Sequence, residues 1–138
     1  SRVTKDFSIL NRYEVAQTGE KIAIIGLGTF FELAKEAAKL LKEEAGINAT
    51  VINPYYITGL DEALLTKLKQ DHDTVITLED GILDGGFGEK IARFYGASNM
   101  KVLNYGLKKE FLDRYDVDAV LKDNHLTAEQ IVEDVLSI

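Results

Sequence analysis

The sequence predicts an α/β fold, a largely parallel sheet with helices on both faces. Three observations carry this. Unbroken apolar runs recur at residues 22–25 (IAII), 49–52 (ATVI) and 74–78 (TVITL). A strand covered on both faces reads this way, without the alternation of a half-exposed strand. Segments of helical period separate the runs, and strands alternating with helices of about 10–15 residues are the mark of βαβ units. No internal repeat, low-complexity run or second composition zone interrupts the pattern.

The elements follow in order. Residues 1–11 are polar and mixed, as in a linker or arm leading into a single domain over residues 12–138. Tyr13-Glu14-Val15-Ala16 alternates and predicts a short edge strand. Thr18-Gly19-Glu20 is a turn into the first apolar run. Phe30, Leu33, Ala34, Ala37, Ala38 and Leu41 then fall at helical spacing. Thr29 and Glu32 read as a capping box at the start of that helix, and Gly46 as its stop. The second run ends at Asn53-Pro54, the only proline in the chain. Asp61 is placed to cap a second helix, with Leu60 and Leu65 as a hydrophobic staple and Leu64, Leu65 and Leu68 as its buried face. The third run leads to a helix over 87–95, closed by Gly96. Residues 101–104 predict a last short strand. Thr127-Ala128-Glu129-Gln130 opens a final helix as a second capping box, stapled by Leu126 and Ile131, that runs close to Ile138.

Composition narrows the function classes. With 46% hydrophobic and 28% charged residues, the chain can bury a core and is not a disordered polymer. A net charge of −7 without a block of like charges argues against nucleic acid and anionic membrane surfaces as partners. The absence of cysteine excludes disulfides, thiolate catalysis and zinc–sulfur sites. No segment approaches about 18 consecutive apolar residues, the length of a membrane span. The start at Ser1, without a signal region, is what a fragment or processed chain would show. The two histidines, His72 in the polar turn Asp71-His72-Asp73 and His125 ahead of a helix cap, fit no metal or triad pattern and read as structural or exposed.

Three stretches remain as candidate sites, all at carboxyl ends of predicted strands, where open α/β sheets place ligands. Gly26-Leu27-Gly28-Thr29-Phe30-Phe31 stands where a dinucleotide fingerprint would. Phe31 replaces its third glycine, however, and Asn53 ends the next strand where an acid is expected. A tight turn into a helix is the ordinary reading. In Glu79-Asp80 followed by Gly85, Gly86, Phe87 and Gly88, Glu89 puts negative charge where a phosphate would sit, so the stretch is a poor phosphate cradle. Its glycines suit a turn that lets two backbones approach. Its acids are either solvated or face a partner surface or small cavity. The third stretch is Asn53-Pro54-Tyr55-Tyr56-Ile57. Its adjacent tyrosines pack under the sheet or form a docking surface, since aromatics are enriched at interfaces.

Four stretches in order, YEVAQTGEKIAIIGLGTFFELAKEAAKLL, ATVINPYYITGLDEALL, TVITLEDGILDGGFGEKIARF and VLNYGLKKEFL, resemble the C-terminal domain of the transketolase superfamily over about residues 8–138. Within it the wording is most similar to the 1-deoxy-D-xylulose-5-phosphate synthases. Transketolases proper and 2-oxoacid dehydrogenase beta subunits carry a similar domain. The chain departs from the synthase pattern at Thr58-Gly59, where Lys-Pro is usual, at Lys108, where proline is usual, and in residues 114–118, which lack a glycine turn. The resemblance implies a three-layer α/β/α domain with a five-stranded mixed sheet whose first strand is antiparallel. It also implies a cytoplasmic, homodimeric parent enzyme using thiamine diphosphate and magnesium. In the superfamily those groups are held between the two preceding domains, by a Gly-Asp-Gly…Asn metal site and an activating glutamate. Asp80-Gly81 follows Glu79 rather than glycine, and Asn104 lies in or beside a strand. The resemblance therefore assigns this chain no catalytic, cofactor or metal residue. Its partners would be the parent's preceding domains or a catalytic partner subunit.

Overall fold

A computed structural model describes residues 11–82, 86–107 and 117–138, residues 80–82 by their backbone alone. Strands β1 (Glu14–Gln17), β2 (Lys21–Gly26), β3 (Thr50–Asn53), β4 (His72–Ile82) and β5 (Lys101–Leu107) form one sheet in the order β1-β3-β2-β4-β5. β1 runs antiparallel to β3, and every other pair of neighbours is parallel. This is the mixed five-stranded sheet that the resemblance implies.

Helices α1 (Phe31–Ala45), α2 (Glu62–Leu68), α3 (Phe87–Tyr95), α4 (Val117–Asp123) and α5 (Ala128–Leu136) cover both faces. Side chains alternate across a strand, which splits the core in two. Ile22 and Ile24 of β2 and Ile76 of β4 pack with Ala37 and Leu41 of α1 and Ile131 of α5. Ala23 and Ile25 face the other way, against Leu65 of α2 and Ile91 and Tyr95 of α3. Three layers result. No helix among the described residues is long and apolar enough to cross a membrane.

Local chemistry sets most boundaries. Gly46 ends α1 in the left-handed region at φ 68°, where a Cβ is costly. Asp61 caps α2 through Leu64 N at 3.2 Å, and its other oxygen accepts from Tyr13 N at 2.9 Å. The Tyr13 hydroxyl donates to Gly59 O, so the chain entering β1 is tied to the start of α2. Thr127 caps α5 through Gln130 N at 3.3 Å.

The capping box expected at Thr29 and Glu32 does not form. Residues Gly28–Phe30 make a 3-10 turn, α1 starts after Phe30, and no side chain caps it. Helix α4 carries no sequence signal, because none of its residues is buried. His72 is no exposed turn residue. It opens β4 with its side chain 3% exposed, 2.7 Å from Thr50 Oγ1 and 2.6 Å from Asp71 Oδ1. The arm over residues 1–10, Lys108 and residues 114–116 lie outside the described residues.

Candidate functional site

At the carboxyl end of the sheet, β2 feeds α1 on one face while β3 feeds α2 on the other. Such a reversal opens a crevice between strands, the usual ligand position in open α/β sheets. Here the chain fills the crevice itself. Leu27 N donates to Leu78 O at 2.9 Å, Gly28 N to Tyr55 O at 2.7 Å, and Phe30 N to Leu27 O at 3.2 Å. These are amides that a nucleotide phosphate would need. Gly26 is required by close approach, since a Cβ there would stand 2.5 Å from Phe30 O.

The Asn53–Ile57 loop closes over this turn. Asn53 Oδ1 accepts from Tyr55 N at 2.8 Å, and Tyr55 sits at φ 60°. The Tyr55 hydroxyl donates to Glu14 Oε1 at 2.7 Å. That bond to a carboxylate is the main cause of the raised hydroxyl pKa. The Tyr56 ring lies on Gly28, where φ is +60° and an added Cβ would come within 2.7 Å of Tyr56 Cε1. Yet Tyr55 is 50% exposed and Tyr56 76%. Packing under the sheet is thus overturned for both rings. They stand outward, one hydrogen-bonded to a carboxylate and the other over a glycine.

The second glycine turn is sealed as well. Gly86 precedes α3 and offers no capping side chain. Glu79, 2% exposed, supplies the cap from β4. Its Oε1 accepts from Phe87 N at 3.1 Å and its Oε2 from Gly88 N at 2.6 Å. This corrects the solvated-acid reading for Glu79. A helix N-terminus favours an anion, and here the anion is the chain's own carboxylate. Gly88 permits the packing: a Cβ would lie 2.5 Å from Thr77 Oγ1 and 2.7 Å from Asn104 Oδ1. Thr77 donates to Asn104 Oδ1 at 2.7 Å, binding β4 to β5 beneath the turn.

The structure therefore joins Gly28, Tyr55 and Tyr56 in one cluster, and Glu79, Gly86, Phe87 and Gly88 in another. Thr29 is exposed in the 3-10 turn. Gly85 and the side chain of Asp80 lie outside the described residues. The Thr77–Asn104 pair and the role of Glu79 escape the sequence reading. One signal for Glu79 was present: Gly86 stands where Ser, Thr, Asp or Asn would cap α3, so the orphan amides need an acceptor from elsewhere. The amides of Leu27, Gly28, Phe30, Phe87 and Gly88 already have partners within the chain, which makes these turns a poor fit for a diphosphate. Among the described residues no three His, Cys, Asp or Glu side chains are placed to hold a metal.

The family model described as "Transketolase, C-terminal domain" matches residues 11–131. The chain is 37% identical over 126 residues to 1-deoxy-D-xylulose-5-phosphate synthase of Symbiobacterium thermophilum, covering 90% of this chain and 19% of that protein. To the synthase of the same name from Clostridium tetani it is 34% identical over 129 residues, covering 92% of this chain and 21% of that protein. The chain thus spans about a fifth of the length of these curated relatives. A solved structure described as "Split gene transketolase, inactive beta4 tetramer" superposes with a TM-score of 0.81 at 29% identity, over 92% of this chain and 42% of that one.

Proposed function

The chain belongs to the transketolase C-terminal domain family, and from that premise we propose that it is the C-terminal structural domain of a thiamine-diphosphate-dependent transferase of the 1-deoxy-D-xylulose-5-phosphate synthase type. Such a parent joins pyruvate, after decarboxylation, to glyceraldehyde 3-phosphate in the supply of isoprenoid precursors. In this reading the cofactor and its magnesium sit in the preceding domains of a homodimer, and the present chain is inactive alone. Its own task is to dock.

One observation carries the docking role. The crevice where a ligand would lie is plugged by backbone hydrogen bonds, while two tyrosines stand exposed beside it. Rigid exposed aromatics lose little side-chain freedom on binding and are enriched among interface anchors. The interface residues in this reading are Gly28, Thr29, Tyr55 and Tyr56, while Gly26, Glu79, Phe87 and Gly88 are buried within the chain and support that face from beneath. Calorimetric titration of the 138-residue chain with thiamine diphosphate and magnesium is expected to give no binding heat. Tight binding would place the cofactor here and end the proposal.

A second reading rests on the relative described as a split gene transketolase. The catalytic domains could reach this chain on a separate polypeptide. The DNA immediately upstream distinguishes the two: an open frame encoding Gly-Asp-Gly followed by Asn supports a single parent chain, and a stop supports a separate subunit.

A further inference from the structure

We draw no further inference here: the strongest candidate, the exposed outer edge of β1 beside Tyr55, runs into the docking face already described, and nothing in the structure shows what covers it.

Discussion

Glu79 meets a need that the first turn of α3 cannot meet for itself. Helix starts leave amides without internal partners, and here the Phe87 and Gly88 amides are satisfied across eight and nine residues of chain by one buried carboxylate. Glu79→Ala is expected to destabilise the chain by about 2–4 kcal/mol, the cost of leaving buried donors unmet. Glu79→Gln should lose less, because one carbonyl oxygen remains to accept. Urea unfolding measures both; equal loss in the two variants would argue for a packing role instead. The tyrosines give a second residue-scale expectation. Burial pushes the Tyr13 hydroxyl up to about 12. Burial likewise raises Tyr95, and it raises Tyr105 with help from the bond to Asp134. An unfolded tyrosine ionises near pH 10. Below that pH the contribution of these groups is fully present. Above it the unfolded chain releases protons that the folded chain keeps, so stability falls as pH rises from about 10 toward 12 and beyond. Denaturation midpoints between pH 9 and 12 should drop steadily, and a flat profile would contradict the burial of these hydroxyls.

At the scale of elements, legibility followed burial and caps. Five strands and four helices were readable because they carry an alternation, a continuous apolar run or a stripe of fixed period: residues 13–16, residues 22–25, 49–52 and 74–78, or Leu64, Leu65 and Leu68. Helix α4 was not, since it buries none of its residues and so leaves no period to find. The box at Thr29 misled because a 3-10 turn moves the start of α1 to Phe31. Glu32 then falls one position early, and Thr29 is left in solvent. Thr127 has the geometry that Thr29 lacks, with its hydroxyl 3.3 Å from Gln130 N. Thr127→Ala should therefore cost about 1 kcal/mol. Thr29→Ala should stay within about 0.5 kcal/mol, as surface changes do. A matched pair of thermal melts decides, and equal losses would mean that Thr29 caps after all. The glycine turns at the carboxyl end of the sheet were legible as turns, and the contacts that seal them were not. Strand ends and glycines mark the turns, but whether an amide faces a phosphate or Glu79 depends on a contact between β4 and α3 that no local pattern encodes.

For the whole molecule, the two cores leave the sheet covered on both faces, and the binding crevice is closed from within. The exposed order that remains at the carboxyl end is aromatic, Tyr55 pinned to Glu14 and Tyr56 lying on Gly28. The proposed docking role draws on this sealed end of the sheet. Truncating the rings should loosen a parent enzyme without unfolding this domain, because neither ring is part of the core. Amide hydrogen exchange of residues 26–31 and 53–60, compared between the isolated chain and the same residues in the full-length parent, tests the docking role most directly. Slower exchange of both segments in the parent, with the middle of α1 unchanged, is the expected result. Equal exchange in the two forms, or protection confined to the opposite end of the sheet, would contradict it.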